Sequence, residues 1–181
     1  IDKDIKEHEL QGLKYFKAIG GLLDGLHEAG CRRDKAGNRL LHMDQYMALL
    51  LLYMFNPICT SLRAIQQASE LKKVQQKLGC PRASLGSLSE SARGFDSSLM
   101  QEVLENLSAQ LKPVCRHAKF EDLSGILTAV DGTLIPAFSK MTWAMWKTES
   151  NAVKAHTQFD LEKHVPVKIT ITEGKGNERA V

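Results

Sequence analysis

Gly125-Ile126-Leu127-Thr128-Ala129-Val130-Asp131-Gly132-Thr133 is where the chain changes character. Upstream of Lys119, apolar residues recur every three or four positions, as on a helix buried along one side. In this stretch they run together and include β-branched residues, the pattern of a buried strand. Further on the period is two. Val153, Ala155, Thr157, Phe159 and Leu161 alternate with Lys154, His156, Gln158 and Asp160; Val165, Val167, Ile169 and Ile171 alternate with Pro166, Lys168, Thr170 and Thr172. Two such strands joined by Glu162-Lys163-His164 predict a hairpin with one apolar face buried. His156 and Asp160 are then expected to face solvent, and Pro166 fits near a strand start or on an edge.

Before this transition the reading is helix after helix. Leu10, Leu13, Phe16 and Ile19 keep helical spacing, as do Leu22, Leu23 and Leu26, with a break or kink expected at Gly20-Gly21. Asp44 is placed to cap a helix carrying Tyr46, Met47, Leu49, Leu50 and Tyr53, which must stop before Pro57. Being apolar on most sides, that helix is expected at the centre of the core. Thr60 or Ser61 opens a short helix with Leu62 and Ile65 inward. Leu71, Val74 and Leu78 form the next, closed by Gly79 and Pro81. Ser84 can cap a helix bearing Leu85, Leu88 and Ala92, although Ser87-Leu88-Ser89-Glu90 also reads as a capping box. Asp96 caps the clearest amphipathic helix, with Leu99, Met100, Val103, Leu104, Leu107 and Leu111, ending before Pro113. The fold class is therefore α+β: a helical region, 1–116, followed by three strands of a mixed domain, 123–181.

Composition narrows the function. The chain has 181 residues, 43% hydrophobic and 25% charged. Its longest apolar stretch, Met47 to Phe55, is about half of the ~20 residues a membrane span needs. No secretory signal is visible, so a cytoplasmic location without membrane association is expected. Ile1 at the start and the lack of a closing signal at Val181 suggest a piece of a longer protein. Cys31, Cys59, Cys80 and Cys115 include no Cys-x-x-Cys pair and read as reduced, mostly buried thiols. The six histidines show no metal-ligand spacing.

The net charge of +3 is unevenly spread. Between Cys31 and Arg93 ten basic residues face only Asp34, Asp44, Glu70 and Glu90, a local balance of +6. Such a segment suggests contact with phosphate, and a solvated helical surface is the competing explanation. Arg63, Lys72, Lys73, Lys77, Arg82 and Arg93 are the candidate phosphate contacts, with affinity expected to fall with salt. Thr60 to Ser69 and Ser84 to Arg93 could pair like a helix-turn-helix. The helix between them departs from the usual 3–4-residue turn.

Val130-Asp131-Gly132-Thr133 carries the sharpest chemical signal. An acid at the end of an apolar strand is costly unless exposed, hydrogen-bonded or bound to a cation. Asp-Gly is equally the pair of a tight hairpin turn, which local sequence alone favours. Lys140, Trp143, Trp146 and Lys147 interleave aromatic and basic residues, as nucleic-acid surfaces do, against packing of a loop on the sheet. Gly174-Lys175-Gly176 lacks P-loop spacing, so nucleotide hydrolysis is not supported.

In order and spacing, the segment Gly125 to Glu178 resembles the start of the RNase H-like catalytic domain of bacterial insertion-sequence transposases of the DDE superfamily. The matching features are Ala129-Val130-Asp131-Gly132-Thr133, then Lys154-Ala155-His156, then the Pro166 to Gly174 run with its Thr170 and Thr172. A looser likeness of Ser61-Leu62-Arg63 and of Ser84-Leu85 through Arg93 extends to the helical DNA-binding part of those proteins. The resemblance implies a truncated RNase H-like domain represented by its first three antiparallel strands. It implies phosphoryl transfer on double-stranded transposon-end DNA, with two Mg²⁺ ions about 3.5–4 Å apart held by two aspartates and a glutamate. Asp131 would be the first of those carboxylates, catalytic and metal-binding, with Lys154 and His156 on the phosphate side. A homodimer on paired ends is likewise implied. The second aspartate and the glutamate have no counterpart; Glu178 comes too soon and reads as a helix start. The chain alone is therefore expected not to cut DNA. A non-catalytic DNA-binding or regulatory protein is the alternative, and a nuclease of the same fold begins its chemistry identically.

Overall fold

The computed structural model describes residues 4–31, 34, 36–114, 125–137, 141–147 and 150–177. It is mixed α and β, in two units, Ile1–Leu99 and Met100–Val181. Helices α1 (Phe16–Leu23), α2 (Gly25–Cys31), α3 (Met43–Phe55), α4 (Leu62–Glu70), α5 (Lys72–Leu78) and α6 (Leu85–Gly94) build the first. The hub is α3, which packs on each of the other five. It buries Met43, Tyr46, Ala48, Leu49 and Leu52. Each large aliphatic side chain so enclosed contributes about 1.5–3 kcal/mol. Only its last turn, Tyr53, Met54 and Phe55, emerges from the core.

Local signals set most helix ends. Ser61 Oγ accepts from the Ala64 N–H at 3.1 Å and Ser84 Oγ from the Ser87 N–H at 3.0 Å. Each satisfies a donor that a helix start leaves open. Gly79 closes α5 in the left-handed region at φ 63°. Three expectations change. Gly20-Gly21 does not break α1, which runs through both glycines and stops at Asp24. Asp44 is not the cap of α3: His42 precedes the helix, its N–H held by Gln45 Oε1 at 3.1 Å, and Asp44 turns to His27. Leu62 and Ala92 face outward, because Ala64, Ile65, Ser91 and Leu88 occupy the inward positions of their helices.

α3 stops before Pro57, as expected, with Asn56 at its C-cap. Its buried side chain donates to Leu52 O at 2.8 Å and to Gln11 O at 3.3 Å, and accepts from Gln11 N–H at 2.6 Å. A residue suited to a turn thereby pins the N-terminal segment onto the core with its own polar atoms satisfied.

The second unit combines α7 (Ser98–Gln110) with strands β1 (Thr128–Pro136), β2 (Met145–Lys147), β3 (Ser150–Asp160) and β4 (Val165–Glu173). Asp96 opens α7, its Oδ1 accepting from Ser98 N–H at 3.0 Å. β3 is central, antiparallel to β1 on one side and β4 on the other, and short β2 pairs with its first residues. The sequence reading did not foresee β2. The turn between β3 and β4 is Leu161 to His164, one residue longer than expected. Asp160 Oδ1 accepts from the N–H groups of Glu162 and Lys163, and His164 sits at φ 59°.

The free edge of β4 is covered. The Gln101 amide donates to Val167 O at 3.4 Å and accepts from Ile169 N–H at 3.3 Å, as a neighbouring strand would. Lys163 Nζ donates to Ser108 O at 2.8 Å, placing a cation on a carbonyl near the α7 C-terminus.

Candidate functional site

Asp131 and Gly132 lie in the middle of β1, so this pair is strand and not turn. Register explains why. Asp131 pairs with Thr157 and Gly132 with His156, and the ladder runs unbroken to Pro136 against Ala152. Nine consecutive partners outweigh the local preference of two residues for a tight turn. Nor is the strand buried as expected: eight of its nine residues are exposed, Asp131 among them.

Side chains in one cross-strand row share a face and successive rows alternate. Asp131, Thr157 and Ile169 form one row; Gly132, His156 and Thr170 form the next. Asp131 therefore projects from one face of the sheet, His156 and Lys154 from the other. Thr133 shares the face of Asp131, and Glu173 on the same face belongs to the row of Ile135 and Val153, two rows away. A hard divalent ion takes several oxygen ligands. Asp131 offers one carboxylate, and among the described residues no group of three His, Cys, Asp or Glu gathers to hold a metal. The residues present do not by themselves fit Mg²⁺. Glu178 lies outside the described residues.

His156 does not face solvent. It is 0% exposed, and Asp160 is 2% exposed. Along β3 the buried positions are Ala152, His156 and Asp160, the set expected outside, while Val153, Ala155, Thr157 and Phe159 are half-buried. The reason is chemical. Asp160 is enclosed because turn N–H groups satisfy it, and His156 because Thr172 receives it. His156 Nε2 and Thr172 Oγ1 share a hydrogen bond at 2.8 Å, and Thr172 Oγ1 also lies 3.1 Å from Glu173 O. Nδ1 is buried and without a partner. Lys154 Nζ reaches Gly176 O at 3.4 Å on the same side. A phosphate contact through His156 has no surface to use.

The six basic candidates of the helical unit are all exposed. They belong to elements that pack together, since α4 contacts both α5 and α6. Arg63 lies on α4, Lys72, Lys73 and Lys77 on α5, Arg82 in the link and Arg93 on α6. Leu71 alone separates α4 from α5. Arg82 is engaged by Glu70, at 2.8 Å from Nη2 and 3.0 Å from Nε. An exposed pair of this kind is worth about 0–1 kcal/mol, so a phosphate can displace it. Glu7 Oε1 accepts from Lys73 N–H at 3.1 Å, occupying the start of α5.

Sequence reasoning passed over Arg39. Its guanidinium lies 4.8 Å from the Phe95 ring centre, where a Cβ on Gly94 would come within 3.2 Å of it. Beside it a cavity of about 290 Å³ is lined by Asp34, Ser87, Glu90 and Ser91 among others. The Arg39-Leu40-Leu41 context held no signal for a stacking partner over fifty residues away. Trp143 is more than half exposed and is not packed as a loop anchor. Lys140 and the Trp146 side chain lie outside the described residues.

Comparison with known protein families, curated proteins and solved structures yields no significant match in any of the three.

Proposed function

We propose that the chain is the DNA-binding and entry portion of a DDE-type transposase. The observation that carries this is Asp131, an exposed acid at mid-strand in the first of three antiparallel strands, β1, β3 and β4. Its sequence context matches the transposase pattern described above. Basic side chains on α4, α5, α6 and the link after α5 support the DNA-binding half of the reading, since cations on packed helices can reach successive phosphates. Magnesium ions and the strand transfer they serve belong to the proposal for a complete catalytic domain. Among the described residues Asp131 belongs to no metal-holding group, which favours a second reading, occupation of DNA without cleavage.

Fluorescence anisotropy with a mixed-sequence DNA duplex tests the first half. Binding is expected at low salt, weakening roughly 10²-fold between about 50 and 200 mM salt if four or so phosphates are contacted. Absence of low-salt binding removes the proposal. Supercoiled plasmid with Mg²⁺ tests the second half: no nicking is expected, and nicking abolished in Asp131→Ala would establish an active nuclease in this chain.

A further inference from the structure

Between α2 and α3 the chain holds one arginine in place without neutralising it. The Arg39 guanidinium lies over the Phe95 ring, 4.8 Å from its centre, and Phe95 in turn meets the buried Tyr46 of α3 at 5.6 Å. Gly94 completes the seat, since a Cβ there would come within 3.2 Å of both Nη1 and Nη2. Asp34 and Glu90 line the same cavity of about 290 Å³. Asp34 Oδ2 accepts from the backbone N–H of Arg39 at 2.9 Å, and among the described residues no acceptor takes the guanidinium N–H groups. A fork fixed by stacking therefore keeps its planar set of donors for an incoming partner.

We propose that Arg39 reads a guanine in the major groove of duplex DNA, its fork donating to O6 and N7. This rests on the DNA-binding reading of the helical unit and adds a base contact to it. The α6 surface beside the seat suits a groove. Gly86, Ser89 and Ala92 are exposed and small, so the helix can approach base edges closely, and the phosphate candidate Arg93 stands next to Gly94.

Charge decides between base and backbone. Asp34 and Glu90 beside the fork oppose a phosphate, which carries a full negative charge. Guanine O6 and N7 are neutral acceptors and meet no such opposition. The rest of the cavity wall also suits base-pair edges. Glu90 is exposed and can accept from a cytosine N4 amino group, while Leu40, 80% exposed, offers an apolar surface to a thymine methyl. Because Phe95 orients the guanidinium beforehand, little side-chain freedom is lost on contact.

Selection from a pool of duplexes with a randomised core, followed by anisotropy on the enriched sequence at several salt concentrations, tests this. The chain should enrich a motif containing one strongly preferred guanine, and changing that base pair should weaken binding about 10–100-fold. Arg39→Ala should abolish the preference at that position and leave the rest of the motif. Arg39→Gln should shift it towards adenine, whose N6 and N7 match an amide. In both variants the slope of log affinity against log salt should stay as in the wild type, with circular dichroism showing an intact fold. A guanine preference that survives both substitutions overturns the inference. So does uniform weakening across all sequences with the slope reduced by about 1, the mark of a phosphate contact. A chain that binds duplex yet enriches no sequence overturns it alone. A chain that binds no duplex at low salt removes the DNA-binding reading, and this inference with it.

Discussion

At the scale of single residues, buried polar groups report the tertiary structure most directly. The Cys80 thiol is pushed up to about 11, chiefly by burial, with Asp44 adding to it and a backbone hydrogen bond opposing. Burial also raises Cys59. Both thiols should therefore resist alkylation at neutral pH until the protein unfolds, which mass spectrometry after iodoacetamide pulses can check. The neutral thiol of Cys80 is the form the fold favours. Its contribution, on the order of 2 kcal/mol, is fully present below the ordinary cysteine range and is lost as pH rises towards about 11. Chemical denaturation repeated from pH 8 to about 11 should show that decline, and Cys80→Ala should flatten it. Gly176 is a second such position. A Cβ there would fall on the Thr172 hydroxyl and come within 3.1 Å of Glu173 O. Gly176→Ala should cost about 1–3 kcal/mol and disturb the Thr172 bond to His156, visible as a lower melting temperature and a shifted His156 imidazole resonance.

Among the elements, α3 and its Asn56 anchor dominate the first unit. Asn56→Ala strands the Gln11 N–H and C=O in a part-buried site, so a loss of about 2–3 kcal/mol is expected by denaturant titration, with Asn56→Asp recovering only the Gln11 N–H contact. In the second unit Gln101 performs the work of an edge strand for β4. Gln101→Ala should cost about 1 kcal/mol and increase the hydrogen-exchange rate of the Ile169 amide, which otherwise reports an unprotected edge. Caps were legible in sequence because Ser61, Ser84 and Asp96 act on N–H groups two or three residues away. The buried face of β3 was not, because what encloses His156 is Thr172, sixteen residues on, and a period-two pattern cannot show that a histidine and an aspartate will find partners.

For the whole molecule, the proposed action on DNA draws on two parts of the chain, the basic helical region and the strand that carries Asp131. Replacing Lys72, Lys73 and Lys77 of α5 by Glu should weaken duplex binding by at least 10-fold at low salt and reduce the slope of log affinity against log salt by about 3. Anisotropy titrations would show both, and an unchanged slope would move the DNA contact off α5. The sequence by itself determined the α+β class, the positions of the helices and of three of the four strands, and the basic character of the helical region, since these follow from residue periods, caps and counts. Only the tertiary structure decided that Asp131-Gly132 is strand, that Asp131 and His156 project from opposite faces, and that Gln101 covers the edge of β4. Those outcomes depend on cross-strand register and on pairs far apart in the chain, where a run of nine ladder partners overrides the preference of any two neighbouring residues.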